Sequence, residues 1–134
     1  MEIEAIKPQI AEIARKHKLD LVVLFGSQAR GKTHPKSDVD IGYIGPKSFD
    51  MNASFKAEGE ISHLLKREDV EFVNLRRVSP LMKKVVCDEG AVLYERESGV
   101  FTLFKLYALK MYAETKPLRA LRYESLKRFI YEPA

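Results

Sequence analysis

The chain contains no tryptophan and a single cysteine, Cys87. A lone thiol can close no internal disulfide and cannot build a thiolate metal centre, so disulfide scaffolds and Cys-based zinc sites within the chain are excluded, and a reducing cytoplasm suits it. Long apolar runs are also missing. The opening MEIEAIKPQIAEI mixes acids into its first turns, and no later stretch approaches the roughly 20 residues that span a bilayer. A soluble protein without membrane association is expected. Charge of one sign is scarce too: 23 Lys and Arg against 19 Asp and Glu leave a net charge of +4, which permits anionic partners without requiring one. Neither an internal repeat nor a low-complexity linker interrupts the chain.

What is present is enough for one core. With 134 residues, 46% of them apolar, the chain has the usual size of one domain. Helical and strand-like periods alternate, an α/β pattern. Ile6, Ile10, Ile13, Ala14 and His17 share a helical face, with Pro8 tolerable in a first turn. LDLVVLF reads as a strand stopped by Gly26, a short helical turn over SQAR and the loop GKTHPK follow, and Asp38 to Ile44 forms a second strand ended by Gly45 and Pro46. Asp50 or Ser48 can cap a helix carrying Ala53, Ala57, Ile61, Leu64 and Leu65 on one side, after which VEFVNL reads as a third strand. SPLMKKVVCDEG predicts a helix ended by Gly90, AVLYE a fourth strand, and the chain beyond Ser98 is helical, with a break or kink at Pro117.

The stretch LFGSQARGKTHPKSDVDIGYI contains an oddity. Asp38 and Asp40 alternate with Val39 and Ile41 in a segment that otherwise reads as a buried strand. Residues two apart on a strand point to the same face, so the two carboxylates converge while Val39 and Ile41 face the core. Adjacent anions repel unless a cation or hydrogen-bond donors compensate, and oxygen-only ligands beside phosphates suit magnesium. The Gly26-Ser27 turn supplies the other half: a glycine lets the backbone approach a ligand, and the N–H groups opening the following turn, with the Ser27 hydroxyl, can hold phosphate oxygens. Glu71, on a neighbouring strand, could complete a cluster able to bind two metal ions about 3.5–4 Å apart and serve in-line displacement at phosphorus. Arg30 either neutralises phosphate charge or pairs with an acid. His17, His34 and His63 read as structural, His34 being the one whose loop should overlie the phosphates, and Cys87 reads as a small core residue.

Gly26-Ser27, ten intervening residues, Asp38-Val39-Asp40 and a later acid resemble the signature of the minimal nucleotidyltransferases of the DNA polymerase beta superfamily. The resemblance covers most of the chain and implies a nucleotidyltransferase fold, a small mixed β-sheet flanked by helices with a C-terminal helical tail. It implies transfer of AMP from ATP to a hydroxyl, with two magnesium ions held by Asp38 and Asp40, triphosphate bound by Gly26 and Ser27, and Glu71 as third carboxylate and proton acceptor. Family members more commonly carry aspartate there, and Asp69 is the fallback candidate.

Size limits the acceptor. Residues 1–97 account for a catalytic core and 98–134 for a helical extension, leaving nothing to grip a nucleic-acid template. Within VFTLFKLYALKMYAE, one stripe (Val100, Phe104, Tyr107, Met111) can cover the sheet, and a second (Leu106, Leu109, Ala113) is expected at an interface. By resemblance, such small enzymes act as antitoxins that adenylylate a tyrosine of a helical HEPN toxin. A non-catalytic binding subunit and a homo-oligomer modifying a small molecule are the competing expectations.

Overall fold

Five apolar residues in succession, Leu21–Phe25, form a strand buried along its whole length. A computed structural model describes residues 2–26 and 38–131. Among them the order is α1 (Ile3–Lys16), β1 (Leu21–Phe25), β2 (Val39–Ile44), α2 (Met51–Leu65), β3 (Val70–Asn74), α3 (Pro80–Glu89), β4 (Ala91–Glu95) and α4 (Val100–Tyr131). The sheet runs β3-β2-β1-β4. β1 pairs antiparallel with β2 and β4, and β2 pairs parallel with β3. The expected small mixed sheet is therefore present. A parallel pair needs a crossover rather than a tight turn, and α2 is that crossover.

β1 reads as an unbroken apolar run because both of its faces are covered. Val22 and Leu24 join Val39, Ile41 and Tyr43 under Ile10 and Ala14 of α1 and Ile61 of α2. Leu21, Val23 and Phe25 point the other way, against Val86 and Cys87 of α3 and Phe101, Phe104 and Ala108 of α4. On the first face the Tyr43 and Phe72 rings stack with centroids 4.1 Å apart, fixing β3 against β2.

The helix boundaries follow from capping chemistry. Asp50, not Ser48, opens α2, its Oδ1 accepting the Ala53 N–H at 2.8 Å. Ser79 Oγ accepts the Met82 N–H at 3.1 Å, and Pro80 fills the first position of α3, where its missing N–H is harmless. Pro8 lies one turn deeper than expected, in the second turn of α1, because that helix begins at Ile3.

Two expectations about the tail are corrected. α4 runs through Pro117 without a break. The turn before the proline is tied down by the Thr115 hydroxyl, which donates to the Met111 and Tyr112 carbonyls at 2.8 and 3.2 Å, and the Ala113 carbonyl that loses its donor lies on an exposed turn. The covering stripe is Phe101, Phe104 and Ala108, with Tyr107 half exposed, because the helix is rotated by part of a turn from the expected face. Leu106 and Leu109, the expected second stripe, are exposed. No helix among the described residues is long and apolar enough to cross a membrane.

Replacing Asp50 with alanine removes the cap of the crossover helix and should lower stability by about 1 kcal/mol. Urea denaturation of the two proteins measures it, and an unchanged midpoint would show that the cap contributes nothing.

Candidate active site

Strand register assembles the site. Phe25 at the end of β1 faces Asp40 of β2, and Asp40 faces Glu71 of β3, so the chain positions 25, 40 and 71 line up across three strands. Gly26 follows directly, with φ +75, a left-handed conformation that favours glycine. A Cβ built at Gly26 would overlap the Asp40 carboxylate oxygen Oδ2, so a side chain there would turn the carboxylate away from its present position. Alternation along β2 puts Val39 and Ile41 into the core and leaves Asp40 on the opposite face, as its spacing requires.

Burial pushes the Asp40 carboxyl above the ordinary carboxylate range, and the Glu71 charge, a hydrogen bond shared with Glu71 and the Asp38 charge push it further. Three acids thus act on one another, although at different range: Asp40 and Glu71 are in contact, while Asp38 is exposed just before β2 and is felt as charge. Glu71, on an edge strand, is exposed. Among the described residues no group of three or more side chains is already gathered tightly enough to hold a metal ion. The donor set nevertheless fits a hard divalent cation. It is all oxygen, and two carboxylates side by side near a third anion are the arrangement that a cation relieves.

Asp69, the fallback carboxylate, is otherwise engaged. Arg67 donates to it from Nε at 2.8 Å and from Nη2 at 2.6 Å, holding the Asp69 carboxyl below the usual range. The Asp69 carbonyl accepts the Val39 N–H at 3.0 Å, so this pair anchors the residue between the two aspartates. Arg67 also feels the Asp38 charge. Sequence reading passed over Arg67; its only signal was an arginine two residues before an aspartate at a strand entrance.

Ser27, Arg30 and His34 lie outside the described residues. His17 packs near Glu60, 3.3 Å from its carboxylate, and His63 is exposed on α2. Cys87 is buried, and burial pushes its thiol up, away from the reactive thiolate. A cleft of about 470 Å³ opens at the other end of β1 and β2, beside Asp20 and Ile44, and contains none of the acids.

A strand-end glycine set against carboxylates of two neighbouring strands in a mixed sheet is the arrangement found at this candidate site. The chain matches the family model for polymerase beta nucleotidyltransferases over residues 8–99, and it belongs to that family. It is 30% identical over 95 residues to the protein adenylyltransferase MntA of Shewanella oneidensis, covering 71% of this chain and 67% of the relative. A crystal structure of a toxin–antitoxin with AMP-PNP superposes with a TM-score of 0.78 at 26% identity, covering 90% of this chain and 98% of the other. A tri-AMPylated Shewanella oneidensis HEPN toxin in complex with MNT antitoxin is alike in fold, with a TM-score of 0.74 at 23% identity over 93% of this chain and 98% of the other.

Two outcomes test this geometry. Gly26→Ala should destabilise by about 1–3 kcal/mol in chemical denaturation, since both φ and the Asp40 oxygen oppose a side chain. The Asp40 pKa is raised in the folded state, so its ionised form costs stability at neutral pH, and the cost is relieved as pH falls through the raised value and the folded protein takes up a proton first. Asp40→Asn should therefore melt higher than wild type at pH 7, with the advantage fading towards the ordinary pKa of 3.8. An equal gain at both ends of the range would assign it to something other than ionisation.

Proposed function

We propose that the chain transfers AMP from ATP to a tyrosine hydroxyl of a HEPN-type helical partner, and so acts as an adenylylating antitoxin in the cytoplasm. The convergence of Gly26, Asp40 and Glu71 carries the reading. The name of the Shewanella relative, a protein adenylyltransferase, supports a protein acceptor, and the AMP-PNP complex of a similar fold supports ATP as donor. In this reading the whole chain is one nucleotidyltransferase domain, with 1–97 as core and 98–134 as the extension that meets the partner.

Each residue then has a task. The Gly26 backbone and the Ser27 hydroxyl bind triphosphate oxygens, and Arg30 offsets their charge. Asp38, Asp40 and Glu71 would hold two magnesium ions, which when bound supply charge neutralisation at the phosphates and a lowered pKa at the acceptor hydroxyl. Glu71 reaches one methylene further than aspartate and accepts the tyrosine proton. The tyrosine oxygen forms a bond to the α-phosphorus as the bond to the β-phosphate oxygen breaks, and pyrophosphate leaves with that electron pair. Asp40, whose crowded carboxylate a cation would relieve, orients the donor phosphates opposite the incoming oxygen.

Intact mass of the partner tests the proposal. A substoichiometric amount of the chain with ATP and magnesium should add whole adenylate units to the partner, and Asp38→Asn or Asp40→Asn should abolish the addition. Glu71→Gln should keep magnesium–ATP stabilisation in thermal melts yet slow transfer by about 10²–10⁴-fold. The competing reading, a stoichiometric binder, draws on the exposed apolar residues of α4. It would be favoured if Asp38→Asn silenced the partner's toxicity as well as wild type, with no change of mass.

A further inference from the structure

α4 is longer than the body it lies on. Its 32 residues extend about 48 Å, whereas α3, its neighbour on that face, has 10 residues and about 15 Å. The buried stripe of α4, Phe101, Phe104 and Ala108, recurs every three or four residues and continues past the body as Leu118, Arg122, Leu126 and Phe129. Those continuing residues are exposed; Phe129 retains 86% of its surface and Leu118 66%. Where the overhang leaves the body, Pro80 and Leu81 of α3 face Leu118, Arg119 and Arg122 across a notch of about 340 Å³.

The charge of this overhang is one-sided. From 116 to 128 it carries Lys116, Arg119, Arg122, Lys127 and Arg128 against Glu124 alone, five cations to one anion. Arg119 is held in place before anything binds: its guanidinium lies 3.7 Å over the Tyr112 ring and donates to Thr115 Oγ1 at 2.5 Å. Ordering it therefore costs a partner little entropy.

We propose that the notch and overhang dock an acidic amphipathic helix of the partner protein, an apolar side chain filling the notch and flanking carboxylates pairing with Arg119 and Arg122. Fork-shaped guanidiniums match carboxylates two-pronged, and apolar ridges between them exclude water. A second copy meeting overhang to overhang would oppose like charges. A lipid surface would require burying Arg122 in the centre of the inserted stripe, where membrane-surface helices keep their cations on the opposite face. The proposal rests on the HEPN-type partner of the preceding section for its probe, but not on any chemistry at the carboxylates.

The test is titration calorimetry of the full chain against the HEPN-type helical protein of the same organism, without nucleotide or magnesium. Arg119→Glu with Arg122→Glu should weaken binding by at least about tenfold, Leu126→Glu should weaken it comparably, and Arg122→Lys should cost less. Affinity should fall as salt rises. Helix content by circular dichroism and the magnesium–ATP melting shift should match wild type in every variant, which excludes misfolding. Unchanged affinity in the reversal variants, or no binding by wild type, overturns the proposal. So does binding of phosphatidylglycerol vesicles, of a single-stranded RNA oligonucleotide or of a second copy that the same substitutions abolish while the helical protein is unaffected. If the melting shift is absent but the substitutions still weaken docking, the transferase reading fails and the docking surface stands; the reverse pattern does the opposite.

Discussion

Two carboxylates on adjacent strands, Asp40 and Glu71, stand side by side as register partners at the end of the sheet where β1 ends. Like charges so close are unfavourable, and they stay together only because the surrounding packing leaves them no choice. Val39 and Ile41 are fully buried on either side of Asp40, so β2 cannot rotate or slip by one residue without exposing them. The same register that buries two core residues forces the acid onto the opposite face.

The parallel pairing of β2 with β3 does the rest. An antiparallel hairpin would place neighbouring residues in sequence beside each other, whereas the crossover through α2 brings Glu71 next to Asp40 from 31 positions away, as the register pair records. Asp50 opens that crossover, Tyr43 and Phe72 stack across its two strands, and the Arg67–Asp69 pair closes it by holding the Asp69 carbonyl on the Val39 amide. Stability at these points and geometry at the site are therefore coupled: loosening the α2–β3 junction moves an acid of the candidate site.

The other face of the sheet has a different logic. Phe101, Phe104 and Ala108 close it, and within a few turns α4 has no more sheet to cover. The family match ends at residue 99, so this helix lies beyond the portion that defines the enzyme class. Exposed leucines over several turns are unfavourable in a free protein and become favourable only when something covers them.

Much of this was legible in the sequence. Gly26, the alternation of Asp40 with Val39 and Ile41, the acid or serine caps of α2 and α3, and the four strands follow from local chemistry: φ above zero favours glycine, period two separates faces, and Ser or Asp before a helix satisfies its free amides. Local pattern could not say which strand lies beside which, so Glu71 and Asp69 were rivals until the parallel register set Glu71 against Asp40 and Arg67 engaged Asp69. Nor could it orient α4: apolar residues lie on more than one side of that helix, and the choice of Phe101, Phe104 and Ala108 as its buried face was made by the shape of the surface beneath. The sequence by itself determined the elements and the residue types at the site; the tertiary structure decided their partners, because pairing and burial are contacts between segments distant in the chain.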